Sequence, residues 1–340
     1  MMNTPNNRVA DRADGLSASS ENAVIDATAS VLHAYFDKHP EMRCLLVVDP
    51  SQRDVPSDDG SAFSDVKRTI VTIAHDGFPA EQQPYLVELD LRSSTGAMLL
   101  KESVRLAFED RRPASMAQGL GQRIGGWLAS TASADEVAGH WSTQVLQYDE
   151  RGRLCALRFY DTRALGLIWP LLTEQQQQAL LGPVTVWHAL DVCAKPRGYG
   201  RGVGSSRACS LTAAQWPEVH RHGLVNRALA LHALAAGRQP TPAEVDAAVA
   251  AAARAEQYGL QDRDDLIAFI GHALDWHPQF DRHPEIEKVL KQFSPDDFYT
   301  AAIGHLQPDD IDEIRQGAWY GQAASLSDPQ RRPSPDTRYE

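Results

Sequence analysis

The stretch LCALRFYDTRALGLIWPLL (Leu154–Leu172) decides how the first half of this chain folds. It opens with apolar residues typical of a strand and continues, as far as Pro170, with apolar residues at helical spacing. Alternation in the strand would place Cys155, Leu157 and Phe159 on one face, and Leu154, Ala156, Arg158 and Tyr160 on the other. A strand that passes directly into a helix indicates a lobe of mixed α and β structure.

The junction between this strand and helix, which we call the corner, contains Arg158, Tyr160, Asp161 and Arg163. Asp161 is placed to cap a helix over about residues 162–169, because an aspartate before a helix accepts hydrogen bonds from its first backbone N–H groups. We expect a structural joint in which Asp161 also pairs with Arg158 and aromatic rings pack nearby. A protein-binding surface is the alternative. A general acid–base pair is not predicted, since the corner holds a single acid.

The rest of the first half alternates short strands with helices. The capping box from Ser133 to Glu136 opens a short helix, and a Gln-rich helix over about 174–181 stops at Gly182. Residues 149–152 form a plausible hairpin loop. The predicted strands are RCLLVVDP, PYLVELD, STQVLQY, RLCALRFY and VTVWHALD.

The second half is predicted to be almost entirely helical. In TPAEVDAAVAAAARAEQYG, Thr241 and Glu244 form a capping box, Pro242 occupies the first turn, and Gly259 ends the helix. Its alanines would let a neighbouring helix approach closely. Residues 211–320 hold 17 acidic and 9 basic side chains, so they carry −8 of the net charge of −12. Further helices are predicted at about 213–236, 263–274, 284–292, 295–305 and 308–317.

These patterns predict an α+β protein with a small sheet in an N-terminal α/β lobe, followed by an all-helical lobe. The segment KPRGYGRGVGSSRACS contains four basic residues, no acid and alternating glycines, which is typical of a flexible connector. The predicted boundaries are a disordered tail at 1–18, the N-terminal lobe at 19–194, the Gly/Arg-rich linker at 195–210, the helical lobe at 211–320, and a second disordered tail at 321–340.

Composition excludes several classes of protein. With 43% hydrophobic residues, 23% charged residues and a net charge of −12, the chain resembles a globular protein and lacks the basic surface that binds nucleic acid. The sequence shows no secretory signal and no apolar segment long enough to span a membrane, so we expect a cytoplasmic location. The four cysteines form no C-x-x-C pair and are predicted to be reduced thiols.

Candidate catalytic and metal-binding patterns are weak. His272, His277 and His283 lie around Trp276 and Pro278, but their spacing matches no zinc signature, and packing is the favoured interpretation. The glycines at 198–204 form no phosphate-binding motif, and no G-x-S-x-G nucleophile motif occurs. We therefore predict no enzymatic activity, no metal and no cofactor.

Five motifs in order along the chain resemble those of one bacterial family. That family shows a strand ending in Asp, a PYLV strand, a helix of the S-x-x-E-L kind, an FR-(Y/F)-Y-D-P-R corner and a G-P-x-x-W strand. The matching stretches over about 40–190 are CLLVVDPSQ, QPYLVELD, GWLASTASADEVAGHW, LRFYDTRAL and LLGPVTVW. The family is the domain-of-unknown-function family of type VI secretion effector adaptors, also called Tap or TEC chaperones.

Two positions depart from the pattern of this family. Thr162 stands where the corner usually has proline, which is a mild change because threonine also suits the start of a helix. The H-L-R that often follows the capped helix is His140-Trp141-Ser142 here, so no role of that arginine can be transferred.

The resemblance implies a non-enzymatic adaptor that holds a toxic effector encoded nearby and helps to load it onto the VgrG spike protein in the cytoplasm. It implies that Arg158, Tyr160, Asp161 and Arg163 form the signature corner, with Tyr85 and Trp187 as supporting aromatic residues. Two alternatives stay open: a hydrolase with a histidine and carboxylate site assembled by the fold, and an immunity-type protein that blocks a toxin's active site.

Overall fold

The computed structural model describes residues 7–53, 55, 63–200, 209–294 and 297–320, with side chains from residue 20 onward. The chain forms two compact units. The first extends to His220 and includes Gly237–Gln239, and the second contains Arg221–Ala236 and the chain from Pro240 onward. The division therefore falls inside a helix rather than in the Gly/Arg-rich segment at 195–210.

The first unit combines a small antiparallel sheet with helices, and helices dominate the later part of the chain, so the predicted α+β class is confirmed. Its elements, in chain order, are α1 (Asn7–Lys38), β1 (Arg43–Val48), β2 (Thr69–Ile70), β3 (Tyr85–Leu89), α2 (Ser94–Arg111), α3 (Pro113–Ala117), β4 (Ile124–Ser130), α4 (Ala134–Gln144), β5 (Leu146–Tyr148), β6 (Leu154–Ala156), α5 (Thr162–Ile168), α6 (Glu174–Leu181), β7 (Val184–Leu190) and β8 (Pro196–Gly200).

Six of these strands form one sheet in the order β2-β3-β1-β4-β7-β8, and every neighbouring pair is antiparallel. The remaining strands, β5 and β6, form the predicted hairpin around residues 149–152. Strand β1 is central, and five of its six residues are buried because helices cover both faces of the sheet. A strand buried on both faces reads as a continuous apolar run, as it does in RCLLVVDP.

The two faces of the sheet carry separate cores. On one face, Leu46 and Trp127 pack with apolar residues of α1 and α2. On the other, Leu45, Leu128 and Trp187 pack with apolar residues of α4, α5 and α6. Because successive strand residues point to opposite faces, neighbouring residues of β1 contribute to different cores.

The helix starts in the first unit follow the capping signals of the sequence. The side chains of Ser133 and Glu136 form both hydrogen bonds of a capping box at α4, and Thr173 forms the same motif with Gln176 at α6. Helix α6 ends at Gly182, which has a positive φ of 58°. The predicted Ser133 capping box and the end of the Gln-rich helix at Gly182 are confirmed, because both depend only on residues a few positions apart; the Thr173 box was not predicted.

Strand β4 contains a bulge at Gly125 and Gly126, which the sequence analysis did not predict. The register against β1 shifts between Val47 and Val48, so Gly125 is left without a direct partner. Gly126 has a φ of +112°, and a Cβ there would lie 2.3 Å from the backbone oxygen of His188. Glycine is required at this point because any side chain would collide with β7.

Parts of two segments predicted to be irregular lie in regular elements of the described structure. Residues 7–18, predicted as part of a disordered tail, belong to α1, which contains no proline to interrupt its backbone hydrogen bonds. Residues 196–200, predicted as part of a flexible linker, form strand β8. Tyr199 anchors that strand, since it is buried and packs against Trp169. Residues 1–6, 201–208 and 321–340 of the predicted tails and linker lie outside the described residues.

The second unit consists of helices, as predicted. Helix α7 (Trp216–Ala236) begins in the first unit and continues into the second. The others are α8 (Pro242–Gln257), α9 (Arg263–Asp275), α10 (Pro284–Gln292), α11 (Tyr299–Ala302) and α12 (Pro308–Gln316). The buried residues of α8 are all alanines, and α9 packs against this helix. The helix predicted at 295–305 is short, and residues 295–296 lie outside the described residues.

All four cysteines are free thiols, as predicted, and Cys44, Cys193 and Cys209 are buried. Burial raises the pKa of Cys209 to about 12, so this thiol stays protonated at neutral pH.

The bulge in β4 leads to a test with a matched glycine control. We expect Gly126→Ala to lower the free energy of unfolding by about 2–4 kcal/mol, because it adds backbone strain and a steric collision. In Gly139→Ala, within α4, a Cβ would meet no atom within 4 Å. That control should raise stability by about 0.5–1 kcal/mol, because alanine favours helix more than glycine does. Urea unfolding followed by tryptophan fluorescence measures both, and equal effects would contradict the bulge assignment.

Candidate functional site

The corner is built where β6 passes into α5. Strand β6 ends at Ala156, so the alternation predicted through Tyr160 is wrong beyond that point, and both Phe159 and Tyr160 are buried. Asp161 caps α5 as predicted, since its side chain accepts a hydrogen bond from the backbone N–H of Arg163. A short helix therefore starts at a carboxylate that is almost fully enclosed.

The ion pairs of the corner differ from the predicted ones. The Arg163 guanidinium pairs with Asp161, with Nη2 donating to Oδ2 at 2.7 Å. Arg158, predicted to pair with Asp161, instead donates to Oδ2 of Asp49 at 2.7 Å and to Oγ of Ser51 at 3.1 Å. Asp49 follows β1 and lies 109 positions from Arg158, so local spacing gave no indication of this contact.

A third buried pair lies in the neighbouring segment of the chain. Nη2 of Arg123, just before β4, donates to Oδ1 of Asp110 at 2.8 Å, and Nε of Arg53 lies 3.5 Å from the same oxygen. The backbone N–H of Asp49 also donates to the carbonyl oxygen of Arg123 at 2.8 Å. Together with the corner, these contacts join the end of β1, the end of α2 and the start of α5.

The carboxyl groups of Asp49 and Asp161 have shifted pKa values with different causes. Burial raises the pKa of Asp49 above its ordinary value, although Arg158 and Ser51 act in the opposite direction. Burial also favours a raised pKa for Asp161, but the charges of Arg163 and Arg158 and the hydrogen bonds from Arg163 hold it below its usual range. Asp161 therefore contributes stability above its unfolded pKa, and this contribution is lost only as pH falls through the lowered folded value.

The three aromatic residues assigned to the site lie in the interior. Trp187 is fully buried, and its Nε1 donates to the carbonyl oxygen of Gly125 at 2.8 Å. Tyr160 is 1% exposed, and Arg158 lies 5.7 Å from the centre of its ring. Tyr85, on β3, is also buried, with Arg68 4.9 Å from its ring centre. These contacts position β4, β7 and the corner, and they leave the rings little surface for a partner.

The ion pairs of this arrangement stabilise the conformation of the corner. Asp49 and Asp161 each accept a hydrogen bond from a guanidinium group, so these charges are already oriented by the fold. Paired in this way, Asp49 joins the end of β1 to the corner, and Asp161 holds Arg163 at the start of α5. Arg158 keeps about a third of its side chain exposed, at 32%, and is the corner residue with most surface available to a partner.

The histidines of the second unit lie in aromatic clusters. His272 stacks on Trp276 at 3.8 Å between ring centres, and its Nδ1 lies 2.7 Å from the Tyr299 hydroxyl. His277 and His283 each contact Trp319 edge-on instead. The packing interpretation of these histidines therefore agrees with their contacts. Burial lowers the pKa of His272 to about 4.

One cluster of metal-ligating residue types was not predicted from the sequence. Nε2 of His220 lies 3.4 Å from Oε2 of Glu150 and 3.8 Å from Oδ2 of Asp149, and among the described residues this is the group with metal-ligand proximity. Asp149 already accepts hydrogen bonds from the backbone N–H groups of Arg151 and Arg153 and from the Arg153 guanidinium. Burial raises its pKa, but these bonds outweigh it and lower the pKa to about 2. Asp149 therefore stabilises the β5–β6 turn.

A second missed feature is an apolar groove at the outer part of the sheet. It has a volume of about 470 Å³ and lies between α1 and the strands β7 and β8. Val24 and Val31 of α1 form one wall, Trp127 and His188 form the floor, and Gly198 lies on the opposite side. No apolar run in the sequence marks this groove, because α1 and β8 are more than 150 positions apart.

Comparison with known proteins identifies one family signal. The model of the family described as "Domain of unknown function (DUF4123)" matches residues 74–179, just under a third of the 340-residue chain. This family is associated with type VI secretion effector adaptors. No curated protein and no solved structure matches the chain.

The matched segment contains the corner and Tyr85, whereas Trp187 and Asp49 lie outside it. It is narrower than the region of about 40–190 in which the sequence motifs resemble the family. Among the described residues, no helix has the length and apolar character needed to cross a membrane.

The buried pair at the end of β1 gives a test with an exposed control. We expect Asp49→Ala to lower the free energy of unfolding by about 3–5 kcal/mol, because it leaves the Arg158 charge without its enclosed partner. Glu88 forms an exposed ion pair with Arg43 from the neighbouring strand, at 2.5 Å. Glu88→Ala should cost about 1 kcal/mol or less, since water screens that pair. Urea unfolding compares the two variants. Similar losses in the free energy of unfolding would show that the Asp49–Arg158 pair contributes no more to stability than the exposed pair.

The low pKa of His272 predicts how stability changes with pH. Between about pH 6.5 and about 4, the unfolded chain binds a proton at His272 that the folded chain excludes. Stability is therefore complete above pH 6.5 and falls as pH decreases, by up to about 1.4 kcal/mol per pH unit for one such group. Burial also lowers the pKa of His222 to about 4, so the two losses add.

Urea unfolding across this pH range, followed by circular dichroism, measures that loss. His272→Gln keeps a hydrogen-bonding group beside Tyr299 without titrating, so its stability should depend less steeply on pH. His305→Gln, at an exposed histidine, is the control for the effect of the substitution itself. An unchanged slope in His272→Gln would contradict the assignment.

Proposed function

We propose that this chain is a non-enzymatic adaptor of type VI secretion. It binds a cognate toxic effector, encoded nearby, in the cytoplasm and helps to load it onto the VgrG spike protein. The observation that carries the proposal is the family match at residues 74–179, which includes the corner Arg158–Arg163. The order of the five sequence motifs supports the same family independently of the structure.

The arrangement of the first unit agrees with a role in holding another polypeptide. The charged side chains of the corner are paired, Arg158 with Asp49 and Arg163 with Asp161, so their main effect is to maintain shape. Apolar surface is found instead at the groove beside α1. A rigid lobe with an apolar groove provides what an effector-binding protein needs, since polypeptide recognition depends on preformed apolar surface.

The charge of the chain supports selective association with a partner. Residues 211–320 carry −8 of the net charge of −12. Complementary charge on an effector or on VgrG would raise the rate of encounter and exclude partners of the same sign. We assign this selecting role to the second unit, and the scaffold role to the first.

Coexpression with the two partners tests the proposal. We expect the chain to co-purify with the protein encoded next to it, and the pair to bind VgrG. The control is an unrelated acidic protein of similar size, which should bind neither partner. Failure to form a stable complex with either the neighbouring protein or VgrG would contradict the proposal.

Truncation of the effector separates an adaptor from an immunity protein. An adaptor binds a loading segment outside the toxic domain, so an effector reduced to that domain should lose binding. An immunity protein blocks the toxin's active site, so binding would persist and toxicity would fall. Persistent binding to the isolated toxic domain would therefore replace the adaptor assignment with the immunity one.

A further inference from the structure

Strand β8 forms an outer edge of the six-stranded sheet. It pairs with β7 along Pro196–Gly200, and within the described chain no other strand lies beyond it. An edge strand presents backbone N–H and C=O groups that an additional strand can pair with. Proteins commonly use such edges to bind an extended peptide, in which backbone hydrogen bonds supply affinity and side-chain pockets supply specificity.

The face of β8 directed toward α1 is open because it carries glycines. Gly198 lies opposite His188 and Gly200 lies opposite Val186, so both glycines share the face on which His188 contacts Tyr35 of α1. A Cβ at Gly200 would meet nothing within 4 Å, and one at Gly198 would make ordinary contacts of 3.5 Å or more. Space for the side chains of an added strand therefore exists beside this edge.

That space is the apolar groove described above. Val31 is 70% exposed and Val24 is 46% exposed, although both are aliphatic and lie one above the other on α1. Val24 and Val31 are seven positions apart, so they form a stripe along one face of the helix. Apolar side chains of a bound segment would cover this stripe and remove it from water.

The opposite face of β8 is cationic. Arg197 shares that face with Tyr199, whose ring centre lies 5.2 Å from the guanidinium carbon. Arg197 is exposed, and none of the ion pairs among the described residues involves it; the same holds for Lys195 just before the strand. An acidic side chain on an added strand would lie across from Arg197, within reach of a cross-strand ion pair.

We propose that β8 binds an extended segment of the effector as an additional strand of the sheet. Alternate residues of this segment are apolar and enter the groove beside Val24 and Val31, and the residues between them are acidic and lie next to Arg197. A helix in the groove would leave the edge of β8 unpaired, whereas an added strand uses the edge, the groove and the cation together. This inference rests on the proposed function, because it names where the effector binds.

Binding measurements with three variants test the site. Val31→Asp puts a charge into the groove, Gly198→Ile fills the space beside the edge, and Arg197→Glu reverses the charge opposite the acidic residues. The probes are the protein encoded next to this chain and an array of overlapping short peptides that covers its sequence. We expect each variant to weaken binding about tenfold or more, as happens when a central interface contact is lost.

Matched controls lie elsewhere on the surface. Met98→Asp changes an exposed apolar residue of α2, and Arg92→Glu reverses an exposed cation that forms no side-chain ion pair among the described residues. Both should bind as the unchanged chain does. Thermal unfolding establishes that all five variants fold. The bound peptides should show alternating apolar and acidic residues, and hydrogen exchange at residues 197–200 should slow in the complex.

The outcomes distinguish this site from the proposed function. If a complex forms and its affinity is unchanged in all three variants, the site is wrong and the adaptor function stands. If the unchanged chain binds neither the neighbouring protein nor VgrG, both the proposed function and the proposed site are wrong. If the chain alone is a dimer that Arg197→Glu converts to a monomer, a second copy occupies the edge and the effector assignment is overturned.

Discussion

The close approach of three chain segments at Gly125 and Gly126 is the constraint on which the first unit depends. A Cβ at Gly125 would lie 2.5 Å from the carbonyl oxygen of Tyr160, and one at Gly126 would lie 2.3 Å from the carbonyl oxygen of His188. Trp187 donates a hydrogen bond to the Gly125 carbonyl from the same region. The bulge in β4 therefore positions the corner on one side and β7 on the other, because only glycine permits this spacing.

Buried ion pairs hold the corner against that bulge. Asp49 with Arg158 connects segments 109 positions apart, whereas Asp110 with Arg123 and Asp161 with Arg163 link residues 13 and 2 positions apart. Such pairs contribute little net stability compared with apolar residues, because both charges lose their hydration. They do make alternative arrangements costly, since any change of register leaves a charge enclosed without a partner. This explains why a charged corner can serve as a joint.

The outer sheet edge differs from the corner in the exposure of its backbone, its charge and its apolar surface. In the corner, Asp161 is paired and Tyr160 is enclosed, whereas β8 exposes backbone and the Arg197 cation and has an apolar groove beside it. The corner residues therefore maintain the shape of the first unit, and the exposed surface suited to binding lies at its outer edge.

The sequence by itself determined the elements that depend on neighbouring residues. The capping boxes at Ser133 and Thr241, the Asp161 cap and the helical second half all follow from contacts within a few positions, where propensity and hydrogen bonding act directly. Tertiary structure alone decided the pairing of Arg158 with Asp49, the strand made from the Gly/Arg-rich segment, and the groove beside α1. The ion pair and the groove join residues more than a hundred positions apart, and β8 forms only by pairing with β7, so no local pattern encodes which segment supplies the partner.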